Sequence, residues 1–154
     1  MQLTLSGAGL RVPRMDRQRI GLWGTVIFAG AALVGIIVQL YLIGAFIFDG
    51  EQDWLDAHKD FGMIVHLMYI LTFISALVAA WPNWRATLWP FVLAVIGSVQ
   101  AFFAAGGDVG GDNGGVHAFH AALVPIVVVL ALYIGWRAWT TIQAASSTGT
   151  TPAA

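Results

Sequence analysis

Four long apolar runs, 20–48, 61–81, 88–105 and 116–142, decide what this chain can fold into. Each is near or above the roughly 18–20 residues needed to cross a bilayer core. Lipid offers a backbone no hydrogen bonds, so such runs become helices that satisfy their own N–H and C=O groups. Composition agrees: 58% of residues are hydrophobic and 10% are charged, against about 25% charged in an ordinary soluble domain. The expected fold is all-α, a four-transmembrane-helix up-down bundle. It divides the chain into a cytoplasmic N-terminal segment 1–19, a transmembrane domain 20–142 and a disordered cytoplasmic tail 143–154.

Charge orients the bundle. Arg11, Arg14, Arg17 and Arg19 precede the first run, Arg85 lies between the second and third, and Arg137 sits near the end of the fourth. In an up-down bundle these share one side, and only Lys59 falls on the other. Asp49, Glu51, Asp53, Asp56, Asp60, Asp108 and Asp112 lie with Lys59. The positive-inside rule then places both termini in the cytoplasm of an inner or plasma membrane. Trp23, Trp81, Trp84, Trp89, Trp136 and Trp139 form a belt at the cytoplasmic interface, and Trp54 marks the outer one. The first run is far longer than the core of a signal peptide and reads as a retained anchor. The absence of cysteine excludes disulfides, thiolate haem ligands and iron–sulfur clusters.

Chemistry concentrates in four histidines. His58 and His66 lie at the start of the second run, His117 and His120 at the start of the fourth. An ionisable group inside a membrane segment is costly, so it marks a functional site by default. Depth follows from counting inward to the tryptophan belt. His58 precedes Trp81 by almost the same interval as His117 precedes Trp139. His66 and His120 lie deeper, and their intervals to Trp81 and Trp136 also nearly match. A short repeat supports the first pairing. Gln39 ends one helix as Gln100 ends another, and His58 follows Gln39 at close to the spacing with which His117 follows Gln100. On that alignment two repeated hairpins are related by an axis along the membrane normal. His58 and His117 become symmetry mates, with Gly62 and Ala121 clearing space beside them.

Each of these residues also has a plainer role. His58 and His117 suit interfacial histidines that cap a helix or meet headgroups. His66 suits a buried neutral imidazole bonded to Gln39 or Tyr69. Gln39 and Gln100 suit interhelical glue, or contacts to a haem propionate or a quinone carbonyl. His120, one turn from His117, can reach the same cofactor edge. The glycine-rich stretch 106–115 contains Asp108, Asp112 and Asn113, but lacks the spacing and distal glutamate of a calcium-binding EF-hand loop. It reads as a flexible outer loop. No phosphate-binding loop, hydrolase triad or nucleic-acid motif is present.

The first helix with Val38-Gln39 and Tyr41, Ala57-His58-Lys59 followed by Gly62, the Gln100 helix and the histidine-opened last helix resemble a group of small bacterial four-helix integral membrane proteins, known mainly as a domain of unknown function. The resemblance spans about 20–139 and implies no activity. A weaker likeness is to one four-helix half of haem A synthase, and to b-type membrane cytochromes. It implies axial histidines on helices 2 and 4 near the outer face, with His58-Lys59 in the place of a His-Arg pair. Leu55 stands where the synthase has a glutamate, and the synthase's second half has no counterpart. The expectation is therefore a b-type haem protein, bis-histidine ligated by His58 and His117, transferring electrons. Tyr41, Phe61, Phe102, Phe103 and Phe119 would wall the pocket, and a quinone or a larger membrane complex would be the partner. The alternatives are a cofactor-free accessory or assembly subunit, and an outer-face Zn or Cu site built from His58, His117 and His120 with Asp56 or Asp60.

Overall fold

The computed structural model describes residues 14–80, 83–105 and 114–147. Four helices account for almost all of them: α1 (Arg14–Asp49), α2 (Gln52–Ala80), α3 (Leu88–Ala105) and α4 (Gly114–Ser147). A single 3-10 turn, Trp84–Thr87, leads into α3. All four helices are long and apolar enough to cross a membrane. The molecule is a multi-pass, all-α membrane bundle.

Neighbours run antiparallel in the cyclic order α1, α2, α3, α4. Gly21 of α1 lies against Ala79 of α2, and Gly35 against Val65. Phe73 of α2 meets Phe91 of α3, and Trp23 of α1 meets Trp139 of α4. Among the described residues α2 and α4 make no close backbone approach, and neither do α1 and α3. They occupy opposite corners of a square. The core between the corners holds Ala32, Ile36, Val65, Tyr69, Leu93, Val127, Leu130, Ala131 and Ile134. Large apolar residues such as Ile37, Val34, Ile64, Val129 and Leu132 point outward. In water that surface would be a liability, but in lipid it is the solvated face.

Three of the helices, α1, α2 and α4, extend beyond their apolar runs. α2 begins at Gln52, well before its apolar run, because polar residues in an interfacial first turn are helix-compatible and Asp53 there complements the helix dipole. His58 is consequently inside a helix rather than at its entrance. α4 continues to Ser147, so 143–147, expected in the tail, are helical. Residues 148–154, Arg11, Trp81, Asp108, Asp112 and Asn113 lie outside the described residues. α1 ends sharply at Gly50, whose φ of 71° suits glycine, and the Gly50 N–H closes onto the Phe46 carbonyl at 2.9 Å. Only Gly50 and Glu51 separate α1 from α2. The antiparallel order gathers Arg17, Arg19, Arg85 and Arg137 at one end and the acids from Asp49 to Asp60 at the other.

Candidate functional site

The half of the bundle away from the arginines is held by two matching clasps. In the first hairpin, the Gln39 side-chain amide donates to the His58 carbonyl at 2.9 Å, and the His58 ring Nδ1–H donates back to the Gln39 carbonyl at 3.1 Å. In the second, the Gln100 amide donates to the His120 carbonyl at 3.4 Å, and His120 Nδ1–H donates to the Gln100 carbonyl at 3.0 Å. Each clasp joins neighbouring helices through a glutamine and a histidine, with each residue's side chain on the other's backbone.

The clasps dictate the imidazole tautomers. A backbone carbonyl can only accept, so the Nδ1 facing it must carry the proton. In the neutral rings Nε2 then holds a lone pair. This is the state in which a histidine binds a metal, and a backbone carbonyl on the other ring nitrogen is a usual orienting partner. The two rings meet across the diagonal between α2 and α4, with centroids 6.4 Å apart and planes at 79°.

The ring that meets His58 is therefore that of His120, one turn beyond the expected His117. Packing explains the register. Val65, Tyr69, Thr72 and Ala76 are buried on α2, and Val127, Ala131, Ile134 and Ala138 are buried on α4 at the same successive spacings. His58 and His120 stand in that same register. A constant offset, one position shorter, also relates α1 to α3: Ala29 and Pro90, Ala32 and Leu93, and Ile36 and Gly97 are buried alike, and Gln39 and Gln100 follow them. The two repeated hairpins are thus visible in the buried faces. Distance to the tryptophan belt is the poorer guide to depth, because interfacial tryptophans tolerate a range of heights, whereas interdigitated core residues do not.

The other expected residues are placed as follows. His117 is half-buried on α4, and exposed Ala121 follows His120 directly. His66, half-buried and two turns below His58, bonds neither Gln39 nor Tyr69; its buried Nδ1 has no hydrogen-bond partner, and the same holds for Gln39 Oε1. Among the pocket-wall candidates Phe61 packs against the core. Tyr41 is outside, edge-on to Trp54; Phe102 and Phe119 are exposed, and the Phe103 side chain lies outside the described residues. Among the described residues no three histidine, aspartate or glutamate side chains converge as a metal-holding group. Asp56 instead pairs weakly with Lys59, at 3.8 Å on the surface.

Sequence reasoning gave Gly62 the role of clearing space beside His58 and overlooked Gly35, and both make the first hairpin tight. A Cβ on Gly62 would sit 2.8 Å from Gln39 Nε2, and one on Gly35 would sit 2.7 Å from Val65 Cγ2. The spacing of Gly21, Gly24 and Gly35 along one apolar helix was the available signal. No protein-family model, curated protein or solved structure matches this chain.

Proposed function

We propose that the chain is a membrane haem protein that binds one b-type haem between α2 and α4 through His58 and His120. The observation that carries this reading is the facing pair of imidazoles, each with Nδ1–H tied to a helix carbonyl and Nε2 left for a ligand bond. Two imidazoles on opposite sides of one ion, with metal–nitrogen bonds of about 2 Å, have ring centroids roughly 6 Å apart. The 6.4 Å separation here suits that arrangement. A donor set of two neutral imidazoles also suits haem better than zinc, which takes at least three protein ligands. Helices at opposite corners, which make no close backbone approach, would leave more room for a flat group than adjacent helices do. With both axial positions filled, such a haem supplies one-electron transfer rather than oxygen binding.

The protein's part would be positional. Gln39 and Gln100 hold each hairpin in register, which sets the height and tilt of the two rings. The arginine-rich end would face the cytoplasm, placing the histidines toward the outer face, where a quinol or a larger membrane complex could exchange electrons.

An optical spectrum of the purified, reduced chain tests the reading. Narrow low-spin b-type bands are expected, lost in His58→Ala and in His120→Ala and kept in His117→Ala. Colourless protein from haem-replete cells that takes up no added haem would overturn it and favour a cofactor-free accessory subunit.

A further inference from the structure

Among the described residues, two buried polar atoms are left without partners: Gln39 Oε1 and His66 Nδ1, both sealed from the surface. Leaving a buried polar atom unsatisfied costs as much as a lost hydrogen bond or more, so such atoms call for a specific explanation. Both belong to one strip of the first hairpin. The Gln39 amide lies over Gly62, where a Cβ would come within 2.8 Å of Nε2. His66 is the next residue on that edge of α2, one turn further, and neighbours at this spacing are roughly 5–6 Å apart. Helical side chains lean toward the helix N-terminus, which for His66 is the side of Gly62 and the Gln39 amide.

We propose that Gln39 and His66 form a hydroxyl-binding site beneath the His58 clasp, with Gly62 as its floor. The chemistry of the two atoms defines the ligand. An amide oxygen only accepts, so the missing group must donate an O–H to Gln39 Oε1. A neutral imidazole nitrogen either donates or accepts, so the same oxygen can complete the pair with His66 Nδ1. A single oxygen with two hydrogen bonds spans about 5–6 Å. Water and the hydroxyl of a quinol head group share this chemistry; a hydrocarbon chain lacks it.

The site belongs to one hairpin only. At the offset that relates α2 to α4, Val124 replaces Gly62 and Val128 replaces His66. A bundle that matches its buried faces so closely departs from symmetry here by putting a polar, titratable group on one side. The inference stands on these atoms alone and does not require the haem.

Nitrogen-15 NMR of the full chain tests it, with labelled histidine and with the protein reduced so that any low-spin iron is diamagnetic. The His66 signals are assigned by their absence in His66→Asn. A cross-peak from water to the His66 ring that persists when decylubiquinol is added identifies water as the occupant. A saturable shift of that ring with decylubiquinol, displacing the water signal, identifies a quinol hydroxyl. In Gly62→Ala, whose new methyl displaces the Gln39 amide, one of the two hydrogen bonds is lost and occupancy falls roughly tenfold. A His66 ring with neither a water cross-peak nor a quinol response overturns the proposal, as does an unaltered signal in a Gly62→Ala protein of normal helicity. Because haem ligation is read from the visible spectrum, the two readings fail separately.

Discussion

The two hairpins carry the same clasp on very different packing. Along α1 and α2 the backbones nearly touch: a Cβ on Gly21 would lie 2.5 Å from the Ala79 nitrogen and 2.7 Å from the Ser75 carbonyl. Gly24, Gly35 and Gly62 continue the interface by receiving the Ser75, Val65 and Gln39 side chains. The only glycine on α3, Gly97, receives the Tyr69 ring from α2 instead of a helix from its own hairpin. The clasps reflect this. The Gln39 amide reaches its carbonyl at 2.9 Å, while the Gln100 amide stops at 3.4 Å. Val124 stands on α4 where Gly62 stands on α2, and a side chain there holds the helices further apart. In lipid, close backbone approach is a main source of helix association, so the first hairpin is the tighter pairing and the second the looser one. The two clasps are thus jaws of unequal packing.

The largest expected effect would break the equivalence of the jaws. If both histidines ligate, His58→Ala and His120→Ala abolish the low-spin spectrum to the same extent despite the unequal packing around them. A protein that keeps its bands in one of these variants has a different ligand in that position, and pulsed electron paramagnetic resonance on the oxidised protein would identify it.

Next is the exchange of volume across the symmetry. Tyr69 fills the space above Gly97, whereas their counterparts at the repeat offsets are Ala131 and Ile36. Tyr69→Ala removes a buried ring and should cost about 3–5 kcal/mol. Adding Gly97→Ile reproduces the pattern of the other side and should restore a large part of that loss. Denaturation in mixed micelles measures both, and a double variant no more stable than Tyr69→Ala would show that the two interfaces do not share a geometry.

A smaller effect separates tight from loose packing. Gly35→Leu drives a side chain into Val65 and Phe61 and should cost about 1–3 kcal/mol, the range for overpacking. Ile96→Leu, at the corresponding place in α3, should cost less than about 1.5 kcal/mol, as volume-conserving core exchanges do. Equal costs would contradict the contrast between the hairpins.

The smallest effects come from the amides. Hydrogen bonds between membrane helices average about 0.6 kcal/mol and reach about 1.7 kcal/mol. Gln39→Leu should approach the upper value and Gln100→Leu the lower, and both proteins should insert and fold. If the clasps orient the rings, the midpoint potential shifts in each variant while protein yield stays constant. An unchanged potential would reduce the glutamines to glue.

Much of this bundle was legible in the residues. Apolar runs in lipid permit little but helices, and the run 88–105 coincides with α3. Hydropathy starts the other helices too late and ends α1 and α4 too early, because it stops where the bilayer does, while a helix can extend through Asp53 or Gln143 into the interface. The site was legible in its parts: the four histidines and two glutamines stand out by their cost in a membrane. Their pairing was not, because it rests on a difference of one helical turn. The signal was present in the spacing. The interval from Gln100 to His120 exceeds that from Gln39 to His58 by a single position, and His117 fits the same interval less well. The carbonyl contacts of the rings could not have been read, since a backbone group has no letter of its own.

The constant offsets between the hairpins carry a historical consequence. A single hairpin of that length, with one glutamine, one histidine and a short turn, contains every part of the clamp in one copy. Two such chains meeting around a twofold axis would present the same pair of opposed imidazoles. The present chain has the form of that dimer after gene duplication and fusion, with the 3-10 turn before α3 close to the joint. Fusion frees the halves to diverge. The first hairpin has Gly62 and His66 where the second has Val124 and Val128, and the second has His117 where the first has Leu55. A polypeptide tied to its own twin can specialise one side of a shared site in a way that two identical chains never could.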